Sequence, residues 1–466
     1  MPVRCGAFAV EMGRECDHRR RAANQPALDV VSPRMSVQTP APDQPPASRR
    51  AVAAWCLFDW ASNAWPTVVM SFVFSAYITR EVAPTPEAGT AWWGTTTAVA
   101  GVVIALLSPV LGALADRGGP RKPWVLGFSA VTVIMAAGLF TIRPEPAYLL
   151  QAAIIAGIGG AAFEIGQVFY NATLAEVAPP RMIGRVSGWA WATGYAGGLV
   201  CLGLCLALFV LPETPILRLD PAAAEPVRAT GVVVALWFAV FAVPYAVLVP
   251  DRPRARVPIG PLARQAVAQL RASLRELVGR HRPVAWFLLA RMLYTDGLNT
   301  LFAFGGVYAA GTFDMGFRAI LEFGIAMNVA AGIGAFGFAW VDDWVGPKRT
   351  VVISLVSLIA FGAAALAVET VTGLYVAGCG LGLFIGPAQA ASRSLMTRMA
   401  PAELRAEMFG LYQFSGKITA FAGPALVGWV TVAADSQRAG MATIVVFFLA
   451  GLAILAPLRP HAARAG

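Results

Sequence analysis

Between residues 51 and 458 the chain alternates long, continuously apolar segments with short polar ones, and this pattern constrains the fold more than any motif. Twelve apolar segments can be drawn, at about 51–79, 92–115, 123–142, 147–173, 183–211, 230–250, 284–312, 318–341, 350–369, 372–398, 404–432 and 441–458. About 20 apolar residues span a bilayer as a helix. A barrel strand runs about 9–11 residues and alternates in polarity, which these segments do not. Charge supports the same class: only 13% of the residues are charged, against about 25% in soluble domains. That excludes a cytosolic enzyme, a disordered chain and a secreted disulfide scaffold. The expectation is an all-α polytopic membrane protein with twelve transmembrane helices.

The rest of the chain sets the domain boundaries. Residues 1–48 are polar and rich in Pro and Arg, without the apolar core of a signal peptide. They read as a disordered cytoplasmic tail, within which Met35 offers an alternative start. A first six-helix half follows at 49–250, a polar linker at 251–283, a second half at 284–458 and a short tail at 459–466. The linker carries Arg264, Arg271, Arg275 and Glu276 and is expected to form a short amphipathic helix on the membrane surface. The six cysteines form no CxxC pair, and His18, His281 and His461 all lie in polar segments. No metal site, cofactor or histidine proton relay is expected in the apolar body.

A net charge of +10 raises the question of a nucleic-acid partner. Placed along twelve spans, 28 of the 36 basic residues fall on one side and six on the other. Basic residues near spans stay cytoplasmic, so both termini are expected there. The excess is an orientation signal with attraction to anionic lipid, and no nucleic-acid module is left to account for.

Two loops repeat each other. Asp116-Arg117-Gly118-Gly119-Pro120-Arg121-Lys122 follows the second span, and Asp343-Trp344-Val345-Gly346-Pro347-Lys348-Arg349 follows the eighth, at an offset of 227. A second set at an offset of 222 joins Gln167 to Gln389, Ala178-Pro179 to Ala400-Pro401, Gly188 to Gly410 and Gly194 to Gly416. Both sets join span n to span n+6, as two parallel six-helix repeats require. Gly112 permits close helix approach, and Asp116 can accept from Arg117 or from the N-terminus of a neighbouring helix. With Gly119, Arg121 and Lys122, and with Asp343, Lys348 and Arg349 in the second copy, this reads as a conformational latch. The alternative is a pair of solvated turns with topogenic charges.

Gly112-x-Leu-Ala-Asp116-Arg117-x-Gly119-x-Arg121-Lys122 resembles the loop 2–3 signature of the major facilitator superfamily, with Pro120 as one extra residue before the basic pair. Four further stretches are similar to its vacuole-effluxer-like group, related to yeast autophagy-linked amino-acid effluxers: Trp55 to Ala64, Tyr170 to Leu174 with Ala178-Pro179-Pro180, Ile183 to Tyr195, and Leu293 to Gly297. Ser62-Asn63 reverses the usual order of that group, and Thr295 stands where Asn is common. The resemblance covers about 50–458 and implies solute transport by alternating access, with spans 1, 4, 7 and 10 lining a central cavity.

Five full charges fall inside the apolar body by this reading: Asp59, Glu164, Arg291, Asp296 and Lys417. Each costs about 2.5–3.5 kcal/mol at a helix centre, so each should face a cavity or a partner. Helical spacing groups Asp59 with Asn63, Glu164 with Gln167 and Asn171, Asp296 with Asn299, and Gln413 with Lys417. Asn63, Glu164, Asp296 and Gln389 are expected to line the cavity, with Glu164 or Asp296 as proton carrier. Structural salt bridges between Arg291 or Lys417 and one of the acids are the alternative. Gly332-Ile-Gly334-Ala-Phe-Gly337 fits a dinucleotide-loop pattern but lies within a span and reads as helix packing. With no nucleotide loop and no nucleophile–base pair, an enzyme is not expected.

The combined reading is a monomeric secondary transporter for a small polar solute, with amino acids as lead class and a proton as coupling ion. Efflux of drug-like compounds and a non-transporting membrane sensor are the alternatives. Arginine outnumbers lysine 33 to 3, which points to a GC-rich bacterial genome and an inner-membrane location.

Overall fold

A computed structural model describes residues 48–212, 219–253 and 270–458, apart from 273, 278, 280 and 281. The expected N-terminal tail, the Met35 start, most of the linker helix and the C-terminal tail lie outside these residues. Among the described residues twelve helical rods follow one another. We label them α1 (Arg49–Ser62), α2 (Pro86–Gly118), α3 (Lys122–Gly138), α4 (Leu149–Ala172), α5 (Ile183–Cys205), α6 (Glu225–Leu248), α7 (Arg282–Phe313), α8 (Phe317–Val345), α9 (Pro347–Ala367), α10 (Val371–Met399), α11 (Arg405–Lys417) and α12 (Gln437–Leu455). The first rod continues past α1 as wider turns over Trp65–Phe72, with Pro66 in their first turn, and α11 resumes after a break as Ala422–Ala434. Ten of the rods are long and apolar enough to cross a membrane. The other two are the interrupted α1 and α7, which carries Arg291, Asp296 and Asn299.

Local chemistry explains the helix ends. Thr85, Thr370 and Ser436 cap α2, α10 and α12 by accepting from the backbone N–H three residues on. Gly119 ends α2 and Gly346 ends α8 with φ of 91° and 92°, a conformation that favours glycine. Pro347 then stands at the start of α9, where a missing N–H costs nothing. The two glycines are 227 residues apart, so the loop repeat is a repeat of backbone shape.

Packing carries the same symmetry. In the first half α1 packs on α5 and α6, and α3 on α4; in the second, α7 packs on α11 and α12, and α9 on α10. Between the halves α2 packs on α11 and α5 on α8, an exchange that a two-fold relation between halves produces. Large apolar side chains such as Leu106, Leu236, Trp429 and Val432 stay exposed around the bundle. An apolar outer surface of this extent fits hydrocarbon, not water. The GxGxxG segment does pack helices: Gly334 lies against the Leu383 backbone of α10.

Candidate functional site

Where the α2–α3 and α8–α9 loops lie, which we call the basic end, the two halves are joined through helix termini. The residues before α11 and α5 are Leu404 and Met182, which have no side-chain oxygen to cap a helix. Aspartates from the opposite half supply it. Asp116, at the end of α2, accepts from the Glu407 backbone N–H at 2.8 Å. Asp343, at the end of α8, accepts from the Gly184 and Arg185 N–H groups at 2.9 and 3.2 Å. Each places a carboxylate at the positive end of a helix dipole across the interface. Gly112 makes the approach possible, since a methyl there would meet the Ala406 carbonyl.

The basic residues divide differently from the expectation. Arg121 is fully buried and donates to Asp116 at 2.5 Å, Glu176 at 2.7 Å and the Ala172 carbonyl at 3.0 Å. Lys122 instead donates to the Ala246 carbonyl near the end of α6 at 3.0 Å. In the second copy Lys348 makes that second kind of contact, to the Ala456 carbonyl near the end of α12 at 2.7 Å. Lys348 and Arg349 therefore do not complete the Asp343 cluster, and Arg349 is exposed. Arg185 and Arg398 bind Asp343 at 2.8 and 3.2 Å. Both come from other helices, so no loop motif could have shown them. Arg117 is half-buried at the end of α2.

Further into the bundle, two ion pairs cross between the halves. Asp59 on α1 binds Arg393 on α10 at 3.0 Å. Arg393 also donates to Asn171 Oδ1 at 3.2 Å, Ser187 Oγ at 2.9 Å and the Ser187 carbonyl at 2.7 Å. The Trp55 and Trp191 rings lie 4.9 and 5.6 Å from its guanidinium carbon, so the buried cation meets both acceptors and π-faces. The second pair joins Glu164 on α4 to Lys417 on α11 at 2.6 Å, with Gln413 also donating to Glu164. Its side chains keep 24% and 27% of their exposure, so this pair faces open space.

Arg393 was missed as an intramembrane charge. It lies six residues before the end of α10, where the charge count treats a basic residue as part of the loop. The signal was available: an offset of 222 carries Asn171 onto Arg393, the residue it binds.

The remaining candidates separate. Asn63 is half-buried and donates to the Asp59 carbonyl of its own helix. Gln167 donates to Ser62 Oγ at 3.3 Å, and Gln389 accepts from Tyr195 at 3.4 Å across the halves. Arg291 pairs with no acid among the described residues. It donates to the Tyr412 carbonyl at 2.5 Å and to Ser415 Oγ at 3.0 Å, and lies over the Tyr412 ring at 3.4 Å. Asn299 donates to the Gly416 carbonyl at 3.5 Å. Asp296 is 2% exposed, within the second half, and so does not line a cavity as expected. The reason is rotational: spacing puts Asp296 and Asn299 on one stripe of α7 without saying where the stripe points.

The comparisons with known proteins decide the family. Residues 178–465 match the family described as "Vacuole effluxer Atg22 like", and residues 20–202 match the Major Facilitator Superfamily. The chain belongs to the Atg22-like vacuole effluxer family. It is a transporter of the major facilitator type and a multi-pass membrane protein. An uncharacterized MFS-type transporter of Bacillus subtilis, YxiO, is 23% identical over 86% of this chain and 93% of that one. Autophagy-related protein 22 of Coccidioides immitis is 25% identical over 54% of this chain and 44% of its own, so the match spans less than half of the fungal protein. Among solved structures, the human organic anion transporter MFSD10 has a TM-score of 0.65 at 16% identity, covering 88% of this chain and all of that one. The outward structure of FucP has 0.64 at 13%, with the same coverage. These likenesses establish the fold, and their members are transporters, not enzymes.

Proposed function

We propose that this Atg22-like protein moves a small zwitterion, with amino acids as the lead class, by rocking its two halves between inward- and outward-facing states. The observation that carries the reading is the half-wet Glu164–Lys417 pair at the junction of α4 and α11. The first half contributes the acid and the second the cation. A zwitterion brings both charges, so its ammonium can take Glu164 while its carboxylate takes Lys417. Binding then replaces an ion pair that joins these two helices across the halves, which links occupancy to the relation between the halves. Gln413, Gln167, Asn63 and Gln389 lie on the surrounding helices as neutral hydrogen-bonding groups. In this reading the rods make twelve crossings, both termini are cytoplasmic, and the membrane is a bacterial inner membrane. The Asp116 and Asp343 caps hold the cytoplasmic end closed, and they part when it opens.

The test is uptake into proteoliposomes of the purified protein, over a panel of radiolabelled amino acids. We expect saturable flux of at least one panel member. Losing one charge-assisted contact costs about 1.5–3 kcal/mol, so Glu164→Gln and Lys417→Gln should each lower apparent affinity about tenfold or more. Flux of no panel member overturns the substrate class. Flux of apolar cations alone would favour a drug-like substrate, and absence of flux for every solute would favour a sensor.

A further inference from the structure

Arg291 takes no part in the site described above, and among the described residues it is a buried cation without an anion. Of the other buried arginines, Arg393 meets Asp59, and Arg121 meets Asp116 and Glu176. Arg228 donates to the Phe140 carbonyl just past α3, at the negative end of that helix dipole. Arg291 is 8% exposed, and its partners are neutral: the Tyr412 carbonyl, Ser415 Oγ and the Tyr412 ring. Both donations come from Nη1. Nε and Nη2 donate to nothing among the described residues and, unlike the sealed Nε of Arg121, keep contact with open space. Those two groups form one side of the guanidinium fork, on which a carboxylate binds with two parallel hydrogen bonds.

The guanidinium lies beside the charged pair of the solute site. Gly416 precedes Lys417 and makes room for it, since a methyl there would lie 2.8 Å from Nη1 and 3.3 Å from Nη2. Asn299, on the same helix as Arg291, donates to the Gly416 carbonyl. So α7 and α11 converge on the residue next to Lys417, and two cations stand there against one acid, Glu164. Asp296 does not restore the balance. It follows Arg291 by five residues, about 140° around the helix. It faces the Gly423 backbone where α11 resumes, a helix start that favours negative charge.

We infer that the solute is an amino acid with a second carboxylate, of the aspartate or glutamate kind, and that Arg291 receives this group through Nε and Nη2. The inference rests on the transport reading and narrows it. Glu164 takes the ammonium, Lys417 the α-carboxylate and Arg291 the side-chain carboxylate, so the solute's net negative charge answers the extra cation of the site. A neutral amino acid leaves the Arg291 fork unpaired, and a site built around a charged group discriminates against the analogue that lacks it. A basic amino acid would set a third cation beside the two. The bland reading is a clamp, in which Arg291 does no more than hold α7 to α11 through Tyr412 and Ser415.

Acid and amide pairs separate the two, because glutamate and glutamine, like aspartate and asparagine, share a shape and differ in charge. Proteoliposomes of the full chain take up each labelled compound near neutral pH, and kcat/KM is measured for both members of a pair. The wild type should favour the acid of at least one pair about tenfold or more, the scale of one charge-assisted contact. Arg291→Gln should bring that ratio to about one. Arg291→Lys keeps the charge and loses the fork, so it should keep part of the preference. A clamp predicts another pattern: its loss lowers Tm and the flux of acid and amide alike, and the ratio stands. Should Arg291→Gln fail to fold, the wild-type ratio and the lysine variant still decide. Wild-type flux of neutral amino acids equal to or above that of both acids overturns the inference and leaves the zwitterion reading standing. An acid preference undiminished in the Arg291 variants overturns the role of Arg291. Flux of no amino acid overturns the zwitterion reading, and this inference with it.

Discussion

The Asp59–Arg393 and Glu164–Lys417 pairs both join the first half to the second, yet water reaches only one of them. Side-chain exposure is 6% and 3% for the first pair, against 24% and 27% for the second. In the first, desolvation is complete and is offset by a full set of acceptors: Asp59, Asn171, and the Ser187 hydroxyl and carbonyl. In the second, one carboxylate is shared by a lysine and a glutamine beside solvent. A pair of the first kind is expensive to break by losing one member, and suits a strut. A pair of the second kind exchanges partners at small cost, and suits a place where a charged solute enters.

The largest effect should come from breaking the strut on one side. Arg393→Met leaves Asp59 buried without its cation, which costs about 3–5 kcal/mol. It should appear as a large fall in Tm of the solubilised protein. Because replacing a whole buried pair by apolar groups is often near neutral, the double variant Asp59→Leu with Arg393→Met should recover most of that loss. A single variant as stable as wild type would remove the distinction between the pairs.

The two aspartate caps extend the comparison to the basic end. Asp116 binds an arginine with no exposure, whereas the arginines on Asp343 are 31% and 33% exposed. Asp116→Asn should therefore destabilise by about 2–3 kcal/mol, the scale of a buried hydrogen bond to a charged group. Asp343→Asn should cost about half that, since solvent screens its partners. Equal losses in denaturation of the two variants would mean that burial does not set the difference.

Much of this architecture was legible in the sequence because length and continuity of apolar segments depend only on the bilayer. The drawn segments meet the rods closely; the second, read at 92–115, is the helix Pro86–Gly118. The caps were legible in part. Asp116 and Asp343 belong to a local motif, but Arg185 and Arg398 reach Asp343 from α5 and α10, and tertiary partners have no fixed spacing. The site was less legible for two reasons. A basic residue near a helix end normally extends to the membrane surface, so Arg393 resembled an anchor until the repeat was extended to it. Helical periodicity groups Asp296 with Asn299, but a stripe does not say whether it faces a cavity or a neighbouring helix.

The smallest stability effect, and the sharpest check on the comparison, is expected at Glu164. Its carboxylate keeps enough contact with solvent that neutralising it leaves Lys417 hydrated instead of stranded. Glu164→Gln and Lys417→Gln should each change stability by no more than about 1 kcal/mol, within the range of exposed pairs. Their double-mutant cycle should give a coupling energy in the same range. A coupling above about 2 kcal/mol would place this pair with Asp59–Arg393 among the struts. The solute would then have to break a strong contact to enter, and binding at Glu164 and Lys417 would no longer follow from their exposure. A small coupling together with lost flux would instead separate the roles: Arg393 holding the halves together, Lys417 meeting what passes between them.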